Sequence, residues 1–305
     1  MTEITASAVK ELRDRTGAGM MDAKKALVEC NGDIESAIDM LRKKGLAKAA
    51  KKAGRTAAEG LVSMAVSVDG KIGALVEVNA ETDFVSRNEQ FQAYCAQVSQ
   101  LALQADTIDT LSAMPYGDGK SVAERLTENI ATIGENMALR RMIKFAVTNG
   151  YVSGYIHNAA APGMGKIGVL VALEGAADTA ALQELGKKIA MHIAAANPEF
   201  LSVDAVSADA LEREKSVLRE QASASGKPAD VVEKMIEGRI RKYYEEVVLL
   251  EQIFVMDGET KISKLIEQTA PGVKLASYAR FQLGDGIERE ENDFAAEVAK
   301  VVAAG

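Results

Sequence analysis

Two blocks of this chain occur twice, in the same order. Gly60-Leu61-Val62-Ser63 returns as Gly150-Tyr151-Val152-Ser153, and Gly70-Lys71-Ile72-Gly73 returns as Gly165-Lys166-Ile167-Gly168. The offsets are 90 and 95, which predicts a hairpin loop five residues longer in the second copy. Each second block continues into strand-forming sequence, residues 74–78 and 169–173. A helical pattern follows each hairpin, at 90–103 and 179–195, and a β-rich segment closes each copy, at 142–147 and 277–283. A repeated β-β-α…β unit leaves each copy with one apolar face to bury. The two copies therefore pack together as a duplicated α+β core with small antiparallel sheets.

Other elements surround this core. The first 45 residues read as three short helices. Thr5 caps the first, with Val9 and Leu12 inward and Gly17 at its end. The second spans 20–30 and stops at Asn31-Gly32. Asp33 caps the third, whose Ile34, Ala37, Ile38 and Leu41 recur at helical spacing and which ends at Gly45. Residues 46–55, rich in Ala, Lys and Gly, read as a linker with helical propensity. Residues 209–246 carry 17 charges in 38 positions. Their narrow stripes, Leu211, Lys215, Leu218 and Ala222 on one arm and Val232, Met235, Ile236 and Tyr243 on the other, predict a projecting antiparallel coiled coil that turns at Ser225-Gly226-Lys227-Pro228. Residues 292–304 read as a detached amphipathic helix with Phe294 and Val298 on one face. The expected division is 1–55, a helical bundle and linker; 56–149, the first core subdomain; 150–207 with 247–291, the second; 208–246, the inserted hairpin; and 292–305, a C-terminal helix.

Charge and composition narrow the function. The 305 residues hold 36 Lys or Arg against 44 Asp or Glu, a net −8, which argues against a nucleic-acid coat. The imbalance is uneven: residues 1–55 hold 12 basic and 8 acidic residues, a local +4, so the remainder carries −12. A basic unit on an acidic body suggests modules with different partners. No 18-residue uncharged apolar run exists, so no membrane span is expected. Cys30 and Cys95, the only cysteines, cannot form a disulfide framework or a zinc ribbon. With no secretory h-region at the N-terminus, a cytoplasmic, reduced setting is expected.

Several signatures of enzyme chemistry fail on context. Gly163-Met164-Gly165-Lys166-Ile167-Gly168 matches a dinucleotide fingerprint but lies between two strands, as a hairpin loop, rather than opening a helix. Gly119-Lys120-Ser121 resembles the end of a phosphate loop, but Met114 stands where its first glycine belongs. His157 and His192 are the only histidines, too few for a histidine-based metal site, and His192 reads as a packing residue. No metal and no cofactor is expected.

One loop stands out. The strand at 74–78 runs into Asn79-Ala80-Glu81-Thr82-Asp83-Phe84-Val85. Either Asp83 caps a turn and Phe84 folds back onto the core, or Phe84 stays exposed beside a carboxylate as an anchor for a partner's pocket.

At these residues the chain resembles the bacterial elongation factor Ts family. Thr16-Gly17-Ala18-Gly19-Met20-Met21-Asp22, through Lys24-Lys25-Ala26-Leu27, is similar to that family's N-terminal signature, and 77–85 to its second. Ile133-Gly134-Glu135-Asn136, Arg140-Arg141 and 189–200 match further family patterns; Ala23 and Ala80 stand where cysteine is frequent. The resemblance implies a UBA-like N-terminal bundle and a guanine-nucleotide exchange factor for GDP-bound elongation factor Tu, working without covalent chemistry, nucleic acid or membrane. It implies that Thr82, Asp83, Phe84 and Val85 push into the GTPase and dislodge its Mg²⁺. It also implies that Ile133, Gly134 and His157 touch the partner, that the terminal helices dock on it, and that the arm supports homodimers in some members. Two rivals from other classes are an adaptor without exchange activity and a hydrolase using Asp83 and His157.

Overall fold

The computed structural model describes residues 4–117, 119–223 and 229–288. The expected arm turn at 225–228 and the C-terminal helix at 292–304 lie outside the described residues. Three helices open the chain: α1 (Ala6–Thr16), α2 (Met20–Glu29) and α3 (Ile34–Lys52). Thr5 accepts from the Ala8 N–H at 3.2 Å and Asp33 from the Ser36 N–H at 2.7 Å, each satisfying an orphan donor of the first turn. Val9, Leu12, Ala23, Ala26, Leu27 and Ala37 form their small common core.

The expected end at Gly45 is corrected, and the helical propensity of the stretch after it is realised as far as Lys52. Helix α3 runs to Lys52 and packs along α6 (Val122–Ile133). A Cβ at Gly45 would lie 3.2 Å from the Ala131 Cβ. This glycine is a point of close helix approach rather than a stop. Ala49, further along, packs against the core of the first copy.

The duplication is visible in the register. In the first copy β1 (Glu59–Val66) pairs with β2 (Ile72–Ala80), and β2 with β3 (Met137–Ala146). In the second, β4 (Gly150–Ala161) pairs with β5 (Met164–Glu174), and β5 with β6 (Lys274–Gln282). All pairings are antiparallel. The β2–β3 ladder shifts register between Glu77 and Val78, and the β5–β6 ladder between Ala172 and Leu173, the positions matched by the 95-residue offset. Gly60 and Gly150 sit at φ 121° and 152°; a Cβ there would fall 2.2 Å from the Val78 carbonyl oxygen and 1.9 Å from that of Leu173, again matched positions.

The copies meet reciprocally. Gly73 of the first faces Val152 of the second, and Gly168 of the second faces Val62 of the first. Val62, Leu75, Val152 and Leu170 are all buried in the core shared between them. Such an exchange of equivalent contacts is what a pseudo-twofold interface requires. Helix α4 (Glu89–Ala102) covers β1 and β2, and α7 (Thr179–Ala196) covers β4 and β5.

Two details differ from expectation. The halves are not separate small sheets: Val62 and Ser63 pair with Gly165 and Met164, joining six strands into one sheet. The extra residues of the second hairpin lengthen the strands rather than the loop. They are absorbed by β4 up to Ala161 and a register shift between Ala159 and Ala161, leaving a turn at Pro162-Gly163. The glycine-rich fingerprint is therefore mostly strand.

Between α4 and β3 lie α5 (Ile108–Ala113) and α6; between α7 and β6 lie α8 (Ala208–Ser223), α9 (Ala229–Val247) and α10 (Ile262–Thr269). Helices α8 and α9 pack on each other through Leu218, Ile236 and Ile240, flanked by Leu211, Val232 and Tyr244. The return stripe thus advances by four residues and uses Tyr244, where Tyr243 was expected.

Candidate functional site

After β2 the chain does not enter α4 directly. Residues Asp83–Arg87 form a 3-10 helix, entered through Thr82 in an extended conformation and left through Asn88, which caps α4 by accepting the Phe91 N–H at 3.0 Å. Alternate side chains of this turn have opposite fates. Val85 is buried in the first copy's core, whereas Phe84 is 76% exposed. Asp83 is also exposed, and no described residue bonds its carboxylate. The turn is braced instead by the Ser86 hydroxyl, which donates to the Asp83 carbonyl at 2.6 Å, and by Gln92, which donates to the Ser86 carbonyl at 2.8 Å. Of the two arrangements open to the sequence, the exposed aromatic beside a carboxylate is the one found.

The entry side of the turn is tied to the segment after α6. The Thr82 N–H and hydroxyl donate to the two oxygens of Glu135 at 2.9 and 2.7 Å. In return, the Asn136 N–H donates to Glu81. Asn136 also donates to the Arg55 carbonyl at 2.7 Å, and Lys52 to the Gly134 carbonyl. Gly134 is the left-handed C-cap of α6 at φ 91°, and Ile133 packs partly into the core beside it. Thr82–Val85, Ile133 and Gly134 thus share one corner, where the end of α3 also arrives. His157 stands apart on β4, exposed, its Nδ1 3.1 Å from the Tyr155 hydroxyl. No described hydrogen bond or ion pair links it to Asp83.

The pairing of Glu81, Glu135 and Asn136 across the loop leaves no local mark in the sequence; the only signal is that Glu81 falls in the pattern at 77–85 and Glu135 and Asn136 in the pattern at 133–136. Glu77 is a fully buried carboxylate on β2. It accepts from Arg140 at 3.0 Å, Arg141 at 2.6 Å, Asn79 at 3.0 Å and the Gly284 N–H at 2.9 Å. Burial raises its pKa, but the Gly284 N–H and Arg141 outweigh that and hold it below the ordinary carboxylate value. The sequence clue was a lone Glu between Val76 and Val78, with an Arg pair available on a later strand.

His192 is a satisfied core residue, as read from sequence. Its Nδ1 accepts the Val255 N–H at 3.3 Å and its other ring nitrogen meets Gln252 Oε1 at 2.9 Å. Among the described residues no group of three His, Cys, Asp or Glu comes together to hold a metal ion, and no helix is long and apolar enough to cross a membrane. Several large apolar side chains of the N-terminal helices are exposed: Met20, Met21, Val28 and Leu46.

Known proteins resemble the chain over nearly its whole length. Residues 81–285, beginning at this loop, match the family described as Elongation factor TS. Proteins named Elongation factor Ts from Rhodospirillum centenum and Rhodospirillum rubrum are each 60% identical to the chain, covering 99% and 98% of both partners. One from Sphingopyxis alaskensis is 59% identical, covering 98% of both. Likeness at this level along the whole length leaves a single assignment: the chain belongs to the elongation factor Ts family.

Proposed function

We propose that this protein is the guanine-nucleotide exchange factor of the translational GTPase elongation factor Tu, binding its GDP form during translation elongation in the cytoplasm. The observation that carries the reading is Phe84, 76% exposed on a turn whose next residue, Val85, is buried. An aromatic displayed on a turn already ordered loses little entropy on docking, so its burial in a partner converts well into binding energy.

The physics is reciprocal coupling. Mg²⁺ offsets the diphosphate charge of GDP in the partner, so cation and nucleotide hold each other. Thr82–Val85, pushed against the element that carries the cation, weaken both; by linkage, GDP weakens the exchange factor's binding by the same factor. Ile133 and Gly134, beside the turn, and His157, on the second copy, extend the contact. The basic unit 1–55, with Met20 and Met21 exposed, supplies a separate docking point that gives affinity without touching the nucleotide. The hairpin at 208–246 lies outside this contact and serves self-association. No bond is made or broken, so the chain needs no cofactor of its own.

The test is release of labelled GDP from elongation factor Tu with and without this protein. The protein accelerates release. Chelating Mg²⁺ speeds release from the GTPase alone and shrinks the further acceleration. Absence of any acceleration rules the function out; acceleration undiminished without Mg²⁺ rules out metal displacement as the route.

A further inference from the structure

We propose that Glu135 is a positioning residue for exchange: it aims Phe84 without itself needing to touch the partner. The inference rests on the reading of Thr82–Val85 as the exchange segment.

A five-residue 3-10 helix cannot fix its own direction, because one turn of hydrogen bonds barely offsets the entropy of forming it. Its far end is held by Asn88 and Gln92. At its near end, Thr82 is the flanking residue at φ −126° and ψ 159°, and its side chain makes no capping bond into the turn. Those two angles decide where the turn points as it leaves β2. Both donors of Thr82, N–H and hydroxyl, are committed to the Glu135 carboxylate at 2.9 and 2.7 Å. Each oxygen of Glu135 takes one of them, and no cation among the described residues pairs with it. A bidentate acceptor on two donors of one residue fixes both distance and orientation. The base from which Glu135 reaches is itself held, since Asn136 donates to Glu81 and to the Arg55 carbonyl. The corner is thus stapled in both directions, and Glu135 is the half of the staple that bears on the exchange turn.

The experiment titrates the full-length protein against GDP-loaded elongation factor Tu. Two quantities are read: the maximal stimulated rate of GDP release and the concentration giving half of it. Glu135→Ala frees Thr82, so the maximal rate falls about tenfold through misdirection of the docking group, while half-saturation changes by less than about twofold because the other docking surfaces are intact. Glu135→Gln restores the rate to within about threefold of wild type, since its carbonyl can accept the Thr82 N–H and its amide can donate to the hydroxyl. Loss of folding alone would reduce the active fraction, which raises the half-saturating concentration and leaves the maximal rate unchanged. Phe84→Ala is measured alongside. If it loses exchange while Glu135→Ala keeps the wild-type maximal rate, Glu135 does not position the turn, and the exchange reading stands. If neither changes the rate, the reading of Thr82–Val85 as the exchange segment falls. A rise in half-saturation with an unchanged maximum would make Glu135 a plain contact residue and overturn the proposal. Should Glu135→Ala fail to fold, Thr82→Val decides: it removes only the hydroxyl bond, a drop of about threefold is expected, and an unchanged rate overturns the proposal.

Discussion

The two copies in this chain share a plan and differ in the connection between central strand and covering helix. Each has three antiparallel strands, a covering helix, a register shift at the same place in its central strand and a glycine facing the same carbonyl. In the second copy the passage from strand to helix is direct: β5 ends at Glu174 and Asp178 caps α7, accepting the Ala181 N–H at 3.0 Å. In the first copy the same passage carries an added 3-10 turn, and its Phe84 faces solvent. The strands also differ within the matched shift, where Glu77 of the first copy corresponds to Ala172 of the second. A duplicated scaffold has a spare copy of every connection, so one can be lengthened into a partner-facing device while the other keeps the minimal link.

The largest effects should come from breaking what the copies share. Gly60→Ala and Gly150→Ala each force a methyl group into a carbonyl from a backbone angle that suits glycine. Each should cost about 3–5 kcal/mol in urea unfolding. If either variant were as stable as wild type, the two glycines would not be structural equivalents.

Next comes a feature the copies do not share. Glu77→Ala strands Arg140 and Arg141, both partly exposed, and should cost about 2–4 kcal/mol. A neutral outcome would mean that the first copy tolerates the alanine its twin carries, leaving the carboxylate without a structural role.

Acid should loosen the copies in order. Burial holds the His192 pKa below its ordinary 6.5 despite the bond to Gln252, so the unfolded chain binds the proton more readily. Its contribution is complete above about pH 6.5 and is lost as pH falls from there through the folded value. Glu77 is held below 4.5; its contribution is complete above about pH 4.5 and is lost only below that. Hydrogen exchange over falling pH should therefore show α7 opening before β2. The reverse order would contradict the assignment of these two groups.

The smallest effect is expected from removing the arm. Joining Ala208 to Val247 through a short Gly-Ser turn deletes a hairpin with its own small core of Leu218, Ile236 and Ile240. The maximal exchange rate should stay within about threefold of wild type, and self-association measured by sedimentation should weaken. An unfolded product would show that the arm belongs to the second copy's core.

The duplication was legible because its glycines are required by backbone geometry, which leaves a mark in sequence. The caps Thr5 and Asp33 were legible because capping needs particular side chains at particular places. Gly45 was misread because local rules treat glycine as a stop, whereas here a tertiary contact with Ala131 decides. The joining of two sheets into one rests on two residue pairs, too few to leave a pattern. At the candidate site, Phe84 could be picked out, but its exposure could not: a Phe-Val pair leaving a strand can turn either way. The entry to the turn is held by Glu135, 53 positions from Thr82, and no local pattern reveals a partner at that distance.

The central claim is that the exposed aromatic of the first copy's lengthened connection drives exchange. Stopped-flow release of labelled GDP from elongation factor Tu, comparing wild type with Phe84→Ala, tests it most directly. The side chain is 76% exposed, so the variant should keep its thermal midpoint while stimulated release falls at least about tenfold, the loss expected for an anchor worth about 2–4 kcal/mol. A wild-type rate of release, or a large fall in thermal midpoint, would contradict the account.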